Sequence, residues 1–438
     1  MKNTIASILF IISFAVVVNT IKAQSGPYCI PNRFSNTPLF SSAQIKKDSN
    51  LVYAVAKRWN ANILDSLRMD VFYPDNTLDP LAKRPFILFI HGGGFLEGNR
   101  ADMIPICIEF AKMGYVTATI TYRLGWTCLN GAAAILCFCP DNAGIKNATY
   151  RATQDARAAL RYFHAKAADF RIDTNYFFIG GGSAGAITAL NTAYVDQAEA
   201  DSWVAGGKTN WGLLDTTGNS YRGQWKLKGI LNSCGGIIDS AFIQPNELVP
   251  TISFHDDNDC MVPFNRGSVI NCTGNCYNLY AVNGSNHVHK RITNLGGCSE
   301  LNHVIGSNQH CGYPGGNLLN RSACFFKSIL CNTCASGENT NVSAAKNCDN
   351  LAAGSSYKTE IHEPKIWYSS SQKSILFELE EPVKSPLLLF DLSGRLVYAG
   401  TLLGETYFSI ATQHMVNGIY FLKMEMNGKI TYRKVMVY

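Results

Sequence analysis

The chain has 438 residues, 47% of them hydrophobic and 16% charged, enough for about two or three domains with full-sized cores. Its net charge of +6 is spread without Lys/Arg clusters, so nothing in it argues for a nucleic-acid partner. All 15 cysteines lie between Cys29 and Cys348, a density that points to an oxidising compartment rather than the cytosol.

At the start, Lys2 precedes an apolar run from Ile5 to Val18, too short for a comfortable membrane span. Ala23 then offers a small residue for cleavage before Gln24, and no lipobox cysteine stands nearby. Residues 1–23 read as a signal peptide, with an uncleaved anchor as the alternative. Next, Arg84–Ile90 is an apolar run of strand length ending in His91-Gly92-Gly93-Gly94-Phe95. Such glycines let main chain approach a substrate closely, with the N–H groups of Gly93 and Gly94 free to donate. Acyl transfer needs donors of this kind where a carbonyl oxygen gathers charge, each contributing about 3 kcal/mol. His91, at the strand end beneath the glycines, reads as a loop-shaping residue rather than a base.

Further along, Asn175–Ile179 is aromatic and β-branched and runs into Gly181-Gly182-Ser183-Ala184-Gly185, after which helix formers follow. This is G-x-S-x-G at a strand-turn-helix junction, where small flanking residues permit a sharp turn that lifts the serine hydroxyl clear of the sheet. Outside that context the same letters would be a glycine-rich loop with an incidental serine. Ser183 is the candidate nucleophile, and the Ala184 amide joins Gly93 and Gly94 as a candidate oxyanion donor.

Together with Leu67–Pro74, Thr121–Gly125 and Gln154–Leu160, these motifs make residues 63 to 335 resemble the α/β-hydrolase superfamily, in its HGGG-type carboxylesterase and lipase branch. The resemblance implies a mostly parallel, helix-flanked sheet over a catalytic domain of residues 24–351. It also implies a Ser, Asp/Glu, His triad in that chain order, with no cofactor and no metal. In this branch a strand commonly ends in H-G-x-x-D-x-x-V-P. Aligning His255 and Val262-Pro263 with that motif selects Asp259 as the acid; Asp256, standing where the family has glycine, and Asp257 remain alternatives. A solvated turn or calcium loop would explain the Asp cluster but not the Val-Pro after it. Residues 284–296 read as a short helix, 299–305 as a last strand and 306–310 as the loop beyond it. The family carries its base on that final loop, which selects His310 over His287.

The cysteines should form about six or seven disulfides with one thiol left over. Cys137/Cys139, Cys272/Cys276 and Cys331/Cys334 are spaced like zinc ligands, but the histidines of a zinc finger are missing. Because Cys260 follows the candidate acid and Cys311 the candidate base, a Cys260–Cys311 bridge is expected to clamp the two. Trp126 to Asn147 looks like an insertion over the site. Trp203, Trp211, Tyr221 and Trp225 sit in another insertion, where they either pack the insertion or stack on sugar or phenolic groups.

After the small, polar stretch 352–362 the texture changes to short alternating strands. Tyr420, Leu422, Met424 and Met426 share a face, and Asn427-Gly428 signals a hairpin. Residues 363–438 are read as a small β-sandwich. Asp391-Leu-Ser-Gly-Arg395, Asn417-Gly418 and the final basic-apolar strand make it resemble the C-terminal sorting domain of the Bacteroidetes type IX secretion system. That resemblance implies contact with the secretion machinery, delivery through the outer membrane, removal of the tail, and an enzyme released or held at the cell surface. The expected substrate is a small-molecule or polysaccharide-linked ester, such as an acetyl or feruloyl decoration of plant polysaccharide. The alternatives are a serine peptidase of the same fold and a non-catalytic surface-binding protein on a hydrolase scaffold.

Overall fold

A computed structural model describes residues 26–128, 139–223, 225–272, 276, 279–342, 345–349, 351, 365–370, 372–426 and 429–438. The expected signal peptide (1–23), the middle of the Trp126–Asn147 insertion, the linker (352–362) and the Asn427-Gly428 turn lie outside the described residues. The chain divides after Ser355 into two compact units.

Strands of the first unit are β1 (Ile45–Lys57), β2 (Leu64–Pro74), β3 (Arg84–Ile90), β4 (Val116–Ile120), β5 (Ile172–Gly182) and β6 (Leu227–Ser233). They continue with β7 (Gly236–Ile237), β8 (Thr251–Asp256), β9 (Arg266–Ser268), β10 (Ala281–Gly284), β11 (Ser299–Val304) and β12 (Gly337–Thr340). Nine of them form one sheet in the order β1-β2-β4-β3-β5-β6-β8-β11-β12, with β7-β10-β9 a small sheet apart. β1–β2 and β2–β4 pair antiparallel, and every other neighbouring pair of the large sheet is parallel. The expected last strand, 299–305, forms as β11, but β12 pairs beyond it.

Helices α1 (Ile104–Lys112), α2 (Asn142–Ala165), α3 (Ala184–Tyr194), α4 (Gln197–Trp203), α5 (Gly207–Trp211), α6 (Ser285–Asn294) and α7 (Gly315–Leu330) surround the sheet. β3 shows why its sequence is apolar throughout: every residue is buried, and alternate side chains enter opposite layers. Phe86, Leu88 and Ile90 pack with Leu160 of α2, Leu190 of α3 and Ile292 of α6. Ile87 and Phe89 pack with Phe110 of α1 and Phe326 of α7. Because β3, β5, β6, β8 and β11 are parallel, their carboxyl ends open onto one edge, where the loops after them meet.

The second unit contains β13 (Lys365–Ser369), β14 (Ser374–Asp391), β15 (Leu396–Ala411), β16 (Gly418–Met426) and β17 (Lys429–Val437), all paired antiparallel. β14 and β15 are long and shift register between Glu378 and Val383. Before the shift β14 pairs with β13, and after it with β16, yet Ile375, Phe377, Leu387, Leu389, Leu422 and Val437 share one core. Tyr420, Leu422 and Met424 are buried in it, as their alternation predicts.

Candidate active site

Ser183 stands between β5 and α3 with φ 55° and ψ −122°, a left-handed conformation that a non-glycine residue adopts only where its surroundings enforce it. The turn is tight enough to exclude side chains: a Cβ on Gly185 would lie 2.1 Å from the Ile90 carbonyl oxygen. The Ser183 amide donates to the Ser233 carbonyl at the end of β6 (2.8 Å). Ala184 is the first residue of α3, so its amide lacks an acceptor within the helix.

Beside this turn, Gly93 (φ 99°) and Gly94 (φ 60°) carry the loop after β3 through conformations open to glycine. Gly93, Gly94, Ser183 and Ala184 line one cavity of about 570 Å³. His91 is fully buried beneath the loop, its Nδ1 on the Gly92 carbonyl (2.8 Å) and its ring stacked on Tyr122 at 4.3 Å. Burial lowers its basicity. The Tyr122 hydroxyl also donates to the His91 carbonyl (3.1 Å), which fixes the start of the loop.

The loops after β8 and β11 bring the acid and base candidates to the same place. His310 Nε2 lies 2.8 Å from Ser183 Oγ, and His310 Nδ1 lies 2.7 Å from Asp259 Oδ2. Asp259 Oδ1 accepts from the amides of Met261 (2.8 Å) and Val262 (3.1 Å), so the carboxylate is held by both oxygens. The other acidic candidates are engaged elsewhere. Asp256 accepts from the Gly312 amide (2.8 Å), and Asp257 meets His303 Nδ1 (2.6 Å). His287 lies on α6 away from the cavity lining; burial, then Lys290 and Arg266, lower its basicity.

One contact had no warning beyond its spacing. His255, four residues before Asp259, places Nε2 3.4 Å from Asp259 Oδ2 and 2.9 Å from the Val262 carbonyl, while its Nδ1 lies 2.6 Å from Ser285 Oγ. Asp259 therefore faces two imidazoles. Burial opposes its charge, but hydrogen bonds from His255 and His310 and the charges of both outweigh that and hold its pKa down to about 2.

The expected Cys260–Cys311 bridge is corrected: Cys260 pairs with Cys272, and Cys311 with Cys234. The acid and base loops do meet, but the main chain at 260–261 pairs with 270–271, through Asn271 N–H to the Cys260 carbonyl and Ile270 N–H to the Met261 carbonyl (both 2.8 Å). That pairing sets Cys260 opposite Cys272. The remaining described bridges are Cys29–Cys331, Cys139–Cys276, Cys298–Cys334 and Cys324–Cys348, and among the described residues Cys107 is free and buried. Cys272 and Cys276, like Cys331 and Cys334, thus serve different bridges.

Apolar side chains form the rest of the cavity, chiefly Trp126, Ile145, Ile187, Val269, Ile270 and Tyr280. Trp126 and Ile145 come from the insertion expected over the site and Ile187 from the helix after the nucleophile turn, whereas Val269, Ile270 and Tyr280 come from segments without a motif, and sequence reasoning missed them. The aromatics of the second insertion instead seat it against α2 and Tyr280. Trp203 meets Tyr280 edge-on (5.1 Å), Trp211 donates to Asn147 (2.7 Å), Tyr221 meets Tyr162 (5.8 Å), and Trp225 lies under Arg157 (5.9 Å).

Against known proteins, residues 23–200 match the carboxylesterase family and residues 370–438 match the secretion system C-terminal sorting domain. Among curated proteins, the Crystal protein of Dictyostelium discoideum is 28% identical over 153 residues, 35% of this chain and 24% of that protein. Esterase B1 of Culex pipiens is 30% identical over 128 residues, 28% of this chain and 21% of that protein. The chain thus spans about a quarter or less of the length of these relatives. Among solved structures, the propionate-bound esterase Est2 of Thermogutta terrifontis is 19% identical with a TM-score of 0.41, covering 65% of this chain and 92% of that one. Esterase B of Lactobacillus rhamnosis is 15% identical with a TM-score of 0.39, covering 64% and 81%. Residues 23–200 are thus similar to the carboxylesterase family, and residues 370–438 to a secretion-system C-terminal sorting domain.

Proposed function

We propose that this chain is an exported serine carboxylic-ester hydrolase. Ser183 attacks the acyl carbonyl while His310 Nε2 takes the hydroxyl proton, since a free serine hydroxyl is a poor nucleophile at neutral pH. Asp259 fixes the imidazole tautomer, with the proton on Nδ1, and stabilises the cation that forms. The amides of Gly93, Gly94 and Ala184 receive the developing oxyanion. His310 then protonates the leaving alkoxide, and water, activated by the same imidazole, hydrolyses the acyl-enzyme. The observation that carries this reading is the unbroken hydrogen-bonded chain Ser183–His310–Asp259 beside the glycine loop. The sorting domain and the disulfides support action outside the cytoplasm.

Hydrolysis of p-nitrophenyl butyrate by wild type, Ser183→Ala, His310→Ala and His287→Ala tests it. Ser183→Ala and His310→Ala should each lose on the order of 10⁶-fold in kcat, and His287→Ala almost nothing. Activity that survives Ser183→Ala removes the assignment.

The cavity's apolar lining favours an apolar or aromatic acyl group over acetyl, which leaves feruloyl-type decorations as the favoured form of the polysaccharide reading. Each buried methylene contributes about 0.8 kcal/mol, close to fourfold in kcat/KM. Butyrate, longer by two methylenes, should accordingly exceed acetate by about fifteenfold, and feruloylated xylan should outrun acetylated xylan. Equal rates on acetate and butyrate would reject the preference, and faster cleavage of p-nitroanilides than of esters would favour a peptidase.

A further inference from the structure

The loop that carries His310 runs from the end of β11 to the start of α7 without regular structure, and it is tied down immediately after the histidine. Cys311 is bridged to Cys234, with Cα atoms 5.1 Å apart. Cys234 follows β6 directly. Its amide donates to the Phe254 carbonyl of β8 (2.7 Å), and the preceding carbonyl, that of Ser233, accepts from the Ser183 amide (2.8 Å). The bridge therefore fastens the base loop to the strand end that also holds the nucleophile's main chain. Both cysteines occupy left-handed backbone, with φ 57° at Cys311 and 49° at Cys234, which persists only where surrounding structure imposes it. One residue on, the Gly312 amide is held by the buried Asp256 carboxylate (2.8 Å). Asp256 stands where the related motif carries glycine, which has no side chain to accept from this amide.

We propose that the Cys234–Cys311 disulfide is a positioning device for His310, so that turnover depends on its oxidation state. The inference rests on His310 acting as the base. Reduction by a small dithiol would pass two electrons and two protons to the bridge, giving two thiols while the dithiol closes to its own disulfide. Cys311 lines the cavity, where such a reductant can reach it. The freed loop keeps the Gly312 tether but loses the one nearer the imidazole. A displacement of about 1 Å at a reacting group costs on the order of 100-fold in rate.

The test compares full-length wild type with Cys234→Ala/Cys311→Ala and, as a control bridge outside the cavity lining, Cys324→Ala/Cys348→Ala. The Cys234/Cys311 variant should lose about 100-fold in kcat with KM within about threefold, and the acid limb of its kcat/KM profile should move, because the imidazole no longer holds a fixed contact with Asp259. The control should keep the wild-type profile. Wild-type kcat and pH profile in the first variant, or equal loss in the control, overturns the proposal. Should the first variant fail to fold, oxidised wild type is reduced stepwise with dithiothreitol while peptide mapping follows each thiol. A chelator is present, because Cys234, Cys311 and His310 offer ligand atoms within 4.8 Å of one another. Activity should then fall with the Cys234/Cys311 thiols and return on reoxidation, and activity that ignores them rejects the idea. His310→Ala measured alongside separates the two failures: if it is fully active, the base assignment is wrong, whatever the bridge does.

Discussion

At the scale of single residues, Asp259 carries charge in the protein interior only because two imidazoles and two amides face it. Its pKa of about 2 lies below the value of about 3.9 expected in the unfolded chain. It therefore contributes stability that is complete above about pH 5 and is lost as the pH falls through 4 toward 2. Asp259→Asn should lower kcat by on the order of 10⁴-fold with KM little changed, since the wrong imidazole tautomer would then face Ser183. Urea midpoints measured from pH 6 to pH 2 should also fall less steeply for the variant. Parallel curves for the two proteins would show that the carboxylate is not the group whose protonation matters. The turn at Ser183 and the glycines of the loop after β3 were legible in the sequence because a left-handed turn and a close main-chain approach each restrict the residue types of a short segment. The disulfide partner of Cys260 was not legible. It depends on which way a side chain leaves a loop, and that was set by main-chain pairing between positions eleven residues apart (Cys260 with Asn271).

At the scale of elements, the segment after β4 is locked to α2 by a buried ion pair. Arg123 meets Asp155 through Nε (3.0 Å) and an η-nitrogen (2.8 Å), its amide donates to the same carboxylate (2.8 Å), and a guanidinium nitrogen reaches Gln154 (2.8 Å). These are residues of the Thr121–Gly125 and Gln154–Leu160 motifs, which lie about thirty residues apart and supply the two halves of one contact. Removing one partner leaves the other charged in a site almost closed to water, at a cost of about 3–5 kcal/mol. Asp155→Ala should lower the melting temperature of the first unit by several degrees, while Asp155→Ala with Arg123→Met should recover much of the loss. No recovery in the double variant would mean that Asp155 acts through another contact. β3 was readable as a strand because burial on both faces demands a continuous apolar run, whereas β8 buries Thr251, Ser253, His255 and Asp256 around Ile252 and Phe254 and was marked by the motif at its end. β12 was not readable, since Gly-Glu-Asn-Thr is an exposed edge strand whose register comes from β11 rather than from a pattern of its own. The tryptophans of the second insertion carried too little information for the same reason: composition shows aromatic surface, but only packing decides whether a ligand or the protein covers it.

For the whole molecule, the two units differ in what stabilises them. The first has large cores on both faces of its sheet and all six described disulfides, one of which joins Cys29 to Cys331 across 302 residues. The second has no cysteine and a single core of its own strands, with Leu387, Leu389, Leu422 and Met424 almost wholly buried. Ser183, Asp259, His310 and the cavity wall all belong to the first, so the proposed chemistry requires nothing from the second. A chain ending at Ser355 and produced in an oxidising compartment should hydrolyse p-nitrophenyl butyrate with kcat/KM within about twofold of the full-length protein. Its main thermal transition should fall within about 2 °C, because independent units contribute additively to stability. Full-length protein should then show a second transition that persists under reducing conditions mild enough to destabilise the first. A truncated chain that is folded but at least tenfold less active would place part of the working site in the tail, and loss of the first transition on truncation would show that the two cores are not independent.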